Sequence, residues 1–351
     1  MGRLSFIDTA KFLAIYFVII SHCSMSSNIA HFLFSFHVPL FFVLYGYVYR
    51  IQEKQTVKSW LFGGGKKLIY RVLVPYFLLA FILGSPFSIK NLCFVGYGAI
   101  QALNNITSTH LWFLPCYFIS VLIYNMVIYQ FKDNKILQLS CFLLLAVISA
   151  LTDFESNICW SFQGKTLYFT GNGQSCSNQL YLGMPFALNV AFSGCLFIYI
   201  GSLIRKCSDR FLFLDKTSKS LYVFVATIII GFLSFIYNDG DEKLLAMSLA
   251  EYGNYVLFVL TVICFSIATI ILAKWIDNPL FAKYGKYTMP IYGFHLVLTF
   301  IPKLFYKFLG IPIESHLELK GILSGSVVLF VACLLIPIIR NIDSNLIGEH
   351  K

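Results

Sequence analysis

Charge is what this sequence has least of. Asp, Glu, Lys and Arg make up 12% of its 351 residues, about half the roughly 25% of a soluble globular domain. The ten cysteines include no CxxC pair and no Cys/His spacing suited to zinc, so no metal is expected, and most sit in apolar stretches where Cys acts as a small hydrophobe. No internal repeat is visible, which removes one mark of a secondary transporter. No small-residue cleavage site follows the first apolar run, so that run reads as a retained helix and not as a signal peptide. No stretch between apolar runs is long enough for a soluble domain. Residues 1–351 therefore read as a single transmembrane domain with no appended soluble domain.

What the chain does have is apolar surface. Hydrophobic residues make up 58%, with 36 Phe and 21 Tyr, and the mean hydropathy is +0.77. At ~20 residues per crossing, ten apolar stretches can be drawn, roughly 10–28, 32–49, 72–89, 111–130, 136–152, 182–204, 220–237, 252–273, 287–306 and 321–339. They predict an all-α polytopic integral membrane protein of about ten transmembrane helices. With the N-terminus in the cytoplasm, 20 of the 26 Lys and Arg fall on inside segments and 6 outside, while the acidic residues split 8 and 8. Positive charge alone sets orientation, so both termini are expected to be cytoplasmic. The net charge of +10 is then a topology signal, and no nucleic-acid partner is expected.

The first stretch carries the most informative polar residues. FIDTAKFLAIYFVIISHC holds Asp8, Lys11 and His22. At about 100° per residue, eleven steps from Lys11 to His22 fall ~20° past three full turns, and fourteen steps from Asp8 fall ~40° short of four. All three belong to one stripe of one helix, with Lys11 and His22 about 16 Å apart along the axis. Ionisable groups are costly in lipid, so this stripe should face protein or water and is a functional candidate. The plain alternative is an entry helix with snorkelling ends and one hydrogen-bonded histidine.

Further candidates lie along the chain. FHVPLFFVLYGYVYR (36–50) holds His37, read as a hydrogen-bonded or interfacial residue. KKLIYRVLVPYF (66–77) brings Lys66, Lys67 and Arg71 to the cytoplasmic rim. They either anchor topology or clamp a phosphate, for which Arg offers a planar fork. HLWFLPCYF (110–118) opens at the outer face with His110 and Trp112, an interfacial or sugar-contacting pair. YGKYTMPIYGFHL (284–296) carries His295 well into the ninth stretch. The polar loop 153–181 reads as an outer cap or a sugar-stacking loop, and its Cys159 and Cys176 form a disulfide only if it faces an oxidising compartment and geometry allows.

Taken together, DTAKFLAIYFVIISH, VPLFFVLYGY, RVLVPYF, HLWFLPCYF and IYGFH resemble the acyltransferase 3 family of membrane O-acyltransferases, over Asp8 to about Asp343. Within it the chain is similar to the stand-alone sugar O-acetyltransferases of bacterial surface polysaccharides such as O-antigen. The family's mark, a basic residue, ten residues and His, corresponds to Lys11 and His22. Arg is commoner at the first position, and Tyr45 stands where the family usually has Ser. The resemblance implies acetyl-CoA as co-substrate, no permanently bound cofactor, a carbohydrate acceptor, contact with membrane lipid, and a multi-pass protein of the bacterial inner membrane. It implies His22, Lys11 and Asp8 as catalytic residues, with Lys11, Arg71 and Lys67 on the donor's phosphates. The acceptor approaches from outside, near His110, Trp112 and His295. His22 acts as a general base on the sugar hydroxyl or as a nucleophile that carries the acetyl group. On the residues alone, a secondary transporter or flippase for a sugar-containing solute, and a receptor or scaffold, stay open.

Overall fold

The computed structural model describes residues 4–24, 27–52, 54–83, 109–151, 159–163, 166–170, 181–182, 187–211, 215–238, 245–311 and 317–342. It is helical apart from one small sheet. Seven helical stretches are long and apolar enough to cross a membrane: Ser5–Cys23, Asn28–Val48, Phe113–Gln130, Leu188–Arg210, Ser218–Asn238, Tyr255–Ile276 and Leu317–Asn341. These correspond to seven of the ten stretches expected from sequence. The third stretch is described only to Leu83, and the rest of it lies outside the described residues. The fifth forms a shorter apolar helix, Lys135–Leu151. The ninth is not one helix but two, Thr288–Leu298 and Phe300–Phe308. The physical reason is Pro302, which has no N–H for the carbonyl four residues back and whose ring crowds it. Pro39 stands likewise in the third position of its helix, just after the break that divides Asn28–Phe34 from His37–Val48.

The chain divides into two compact units. In the first (1–49, 200–247 and 252–342), α1 (Ser5–Cys23) is the central element. Around it pack α2 (Asn28–Phe34) and α3 (His37–Val48) from its own end of the chain. Four elements of the distant half also contact α1. They are α11 (Tyr255–Ile276), α12 (Pro279–Gly285), α13 (Thr288–Leu298) and α15 (Leu317–Ile342). α14 (Phe300–Phe308) joins α13 to the α15 side, and α10 (Ser218–Asn238) runs along α11. Small residues set the α1–α15 approach. A Cβ on Gly325 would press on Ile20, and one on Gly321 on Ser24. Tyr16 then shares a 2.7 Å hydroxyl hydrogen bond with Ser326. As α15 advances the contact moves back along α1, so the two helices are antiparallel, with backbones close enough for dense packing.

The second unit (50–199, 248–251 and 343–351) opens with α4 (Val57–Trp60), capped by a reciprocal Thr56–Ser59 box. A π-helical turn, Leu61–Gly65, leads to α5 (Lys66–Leu68), and a second, Ile69–Leu73, leads to α6 (Val74–Leu83). Three consecutive glycines make the first widened turn cheap, and the Trp60 indole lies over Gly64. α7 (Phe113–Gln130) and α8 (Lys135–Leu151) follow. Then come β1 (Cys159–Gln163), β2 (Thr166–Thr170) and β3 (Tyr181–Leu182), antiparallel in the order β2-β1-β3. The unit takes in the first half of α9 (Leu188–Phe211). Two of its buried hydroxyls are satisfied inside it: Ser120 donates to the Ala191 carbonyl at 2.9 Å, and Ser193 to Ser149 at 2.8 Å. Phe142 lies between Tyr124 and Tyr199, at 5.4 and 4.9 Å between ring centres.

Candidate active site

α1 delivers Asp8, Lys11 and His22 from a single unbroken helix. At its N-terminal end Asp8 is almost wholly buried, and the Lys11 ammonium lies 3.3 Å from its carboxylate. An unpaired carboxylate there would be costly, and the i, i+3 cation offsets that cost while keeping 29% of its own side chain exposed. Against this turn lies α12, so close that a Cβ on Gly285 would strike the Asp8 carbonyl. Phe281 stacks on Phe12, ring centres 4.6 Å apart and 15° from parallel. α12 is started sharply. Asp277 ends α11 in the left-handed region (φ 30°), Asn278 caps Leu280 and Phe281, and Pro279 takes the first turn.

More cations gather near this end. Lys274 sits 5.0 Å over the Phe6 ring, and Phe6 meets Tyr47 edge to face at 6.2 Å. Arg205 lies 5.2 Å over Tyr47 and 2.7 Å from Asp209, and the Tyr47 hydroxyl hydrogen-bonds Ser208 at 2.9 Å. Cation–π contacts of this kind contribute about 0.5–2 kcal/mol each. Sequence spacing alone gave no hint of Lys274 or Arg205 here, because tertiary packing brings them to Phe6 and Tyr47.

The other end of α1 is built from rings. His22, half-buried, lies 5.1 Å from His295 of α13 and 5.5 Å from Phe34 of α2. Phe34 in turn meets His37 at 5.1 Å. His37 and His295 are buried. His295 Nδ1 lies 2.6 Å from the Tyr292 carbonyl, and His37 Nδ1 lies 2.5 Å from the Leu33 carbonyl. A carbonyl oxygen only accepts, so each Nδ1 carries a proton. In the neutral rings the lone pair is therefore on Nε2. The Leu33 carbonyl belongs to the last turn of α2, where the break leaves acceptors in need of donors. The structure thus brings together His22 and His295, which the sequence put in different roles. It adds Phe34, which sequence reasoning passed over, and His37, which was read only as a hydrogen-bonded or interfacial residue and is hydrogen-bonded here. The signal for Phe34 was its spacing from His37 at the Pro39 break. Among the described residues no group of three His, Cys, Asp or Glu side chains is arranged to hold a metal ion.

The remaining candidates belong to the second unit. Lys67 and Arg71 are exposed, with Arg71 inside the second π-helical turn. Trp112 is buried, edge-on to Phe113 at 6.2 Å. His110 lies on the 3₁₀ turn Thr109–Trp112, and its side chain lies outside the described residues, as does Cys176. A cavity of about 570 Å³ in this unit is lined by Lys54, Lys58 and Lys132 beside Gln55 and Tyr129. Sequence inspection treated these lysines only as topology charges.

No curated protein and no solved structure matches this chain. The family model described as an acyltransferase domain, Acyl_transf_3, matches residues 4–340, nearly the whole chain, and the protein therefore belongs to the acyltransferase 3 family and is a membrane acyltransferase.

Proposed function

We propose that the protein moves an acetyl group from cytoplasmic acetyl-CoA to a hydroxyl of a surface-polysaccharide or lipid-linked sugar at the outer side of the bacterial inner membrane. In this reading the chain crosses ten times with both termini cytoplasmic, as the distribution of Lys and Arg favours. The observation that carries the reading is the His22–His295 ring pair at one end of α1, with the Asp8–Lys11 ion pair at the other.

Each residue then has a task. Lys11, held by Asp8, receives a donor phosphate, and Lys274 and Arg205 raise the positive potential near that end. Arg71 and Lys67 belong to the second unit and take their phosphate role from residue chemistry alone. The ~16 Å rise from Lys11 to His22 suits an extended, uncharged arm between phosphates and thioester. His22 takes the proton of the sugar hydroxyl as the oxygen attacks the thioester carbonyl. The C–S bond breaks, the C–O bond forms, and the proton passes to the departing thiolate. In the covalent variant the His22 ring nitrogen attacks first, the thiol leaves, and the hydroxyl then displaces the imidazole. His295, with Nδ1–H fixed on a backbone carbonyl, backs the His22 ring in either route. His110 and Trp112 are assigned to the acceptor sugar.

The test is thiol release from acetyl-CoA by the purified protein, followed with a thiol reagent in the presence of host glycolipid extract, together with mass analysis of the surface polysaccharide. Acceptor-dependent thiol release and loss of one acetyl mass per repeat when the chain is deleted are expected. A protein that moves the glycolipid and releases no thiol is a transporter, and the acyl-transfer reading fails. Acetyl found on His22 after quenching selects the covalent route.

A further inference from the structure

α14 is short, amphipathic and lies beside the His22 end of α1. Its Lys303 is within electrostatic reach of the Cys23 thiol, the residue after His22. Its neighbour in sequence, α13, carries His295. Tyr306 fastens α14 to α15: its hydroxyl accepts from Ser324 at 3.1 Å and donates to the Lys320 carbonyl at 3.5 Å, while the Lys320 ammonium lies 5.5 Å over its ring. On this frame is an open groove of about 560 Å³, lined by Phe300, Lys303, Leu304, Tyr306, Lys307 and Ile311.

The lining has two chemistries at once. Lys303 and Lys307 are four residues apart, and so are Phe300 and Leu304, so ammonium groups and apolar side chains run along one helical face. Both lysines are exposed, and among the described residues no carboxylate pairs with either. Phe300 and Leu304 are also exposed, at 56% and 60%. Topology does not account for the lysines. On the ten-span arrangement the outer loops hold six Lys in all, and three of them, Lys303, Lys307 and Lys320, belong to this hairpin, against the bias that keeps positive charge inside.

We propose that this groove holds a phosphorylated glycolipid, a sugar joined through phosphate to a lipid chain, with Lys303 and Lys307 on the phosphate and Phe300 and Leu304 against the chain. The inference rests on the acyl-transfer reading and names its acceptor: a lipid-phosphate-linked sugar, presented at the His22 end of α1. Two ammonium groups beside apolar side chains complement an anionic head on a hydrocarbon tail. A free sugar offers neither, and a free phosphate leaves the apolar side chains without a partner.

The probe is farnesyl phosphate, a lipid chain with one phosphate, bound to the full-length protein in neutral detergent. Saturable binding is expected, weakened at least tenfold in the double variant Lys303→Ala/Lys307→Ala and largely restored in Lys303→Arg/Lys307→Arg. Farnesol, which lacks the phosphate, is expected to bind more weakly and to ignore the substitutions. Unchanged farnesyl phosphate affinity in the alanine variant overturns the site. So does displacement by inorganic phosphate at equal concentration, which marks a free-anion site, or by phosphatidylglycerol at equal mole fraction, which marks a general headgroup site. A thermal midpoint equal to that of the unsubstituted protein excludes misfolding, and the arginine variant decides the question if the alanine variant fails to fold. Thiol release by the unsubstituted protein is scored in a portion of the same preparation given acetyl-CoA and host glycolipid extract. Binding that responds to both lysines without any thiol release upholds the groove and removes the acyl-transfer reading. Thiol release with binding indifferent to both lysines does the reverse.

Discussion

The two ends of α1 are built on opposite plans. At the Asp8–Lys11 end, charge is kept in place by covering one partner. The carboxylate is buried, α12 presses on its backbone at Gly285, and the exposed share belongs to the cation. At the His22 end aromatic rings face one another, two of them with a ring nitrogen committed to a main-chain carbonyl. The first plan suits holding a fixed charge, because a paired, partly covered lysine keeps its position. The second suits moving a proton, because a neutral imidazole accepts on one nitrogen and donates on the other. One helix separates the two tasks by its own length.

Substitutions test that division. The largest effect is expected at the ring end. His22→Ala should lower acyl transfer by about 10²–10⁴-fold with an unchanged KM for acetyl-CoA, read by thiol release; near-normal turnover would dissolve the contrast between the ends. Next is Gly285→Val, whose side chain has no room against the Asp8 carbonyl. It should cost about 1–3 kcal/mol, seen as a lower thermal midpoint in detergent, and a midpoint equal to that of the unsubstituted protein would mean that α12 is not seated on Asp8. Lys11→Ala should raise the apparent KM for acetyl-CoA roughly tenfold, about 1.4 kcal/mol, with kcat nearly kept. Lys11→Arg should keep both, and a KM that ignores the loss of Lys11 removes it from the donor site. The smallest change is expected for Phe281→Leu, which keeps apolar volume but loses the stack on Phe12, worth about 0.5–1.5 kcal/mol. It should lower the thermal midpoint slightly and leave His22-dependent chemistry alone.

The helical stripe was legible because it obeys a period. Asp8, Lys11 and His22 needed only the pitch of a helix to be put on one element, and α1 holds all three. Most of the membrane-crossing helices were legible for a related reason: apolar runs of sufficient length have few other uses. Long-range partners were not. Nothing in the local pattern of IYGFH says that His295 lies beside His22, or that Lys274 covers Phe6, since tertiary packing of separate segments decides both. The split of the ninth stretch was written in the sequence as Pro302 but masked by unbroken hydrophobicity, which signals burial in lipid without distinguishing one helix from two. The groove on α14 went unseen for the same reason, because its lysines were read as loop charges, not as one face of a helix.

The hydrogen bond between Tyr16 and Ser326 joins residues 310 positions apart. A ribosome adding ~5–20 residues per second needs about 15–60 s to travel that distance. For that interval α1, with its carboxylate, ammonium and imidazole, is already made and its last wall is not. During synthesis the proposed reaction centre is therefore the segment in greatest need of shelter by the insertion machinery, and a variant that weakens the α1–α15 closure should be cleared by membrane quality control before its catalysis can be judged.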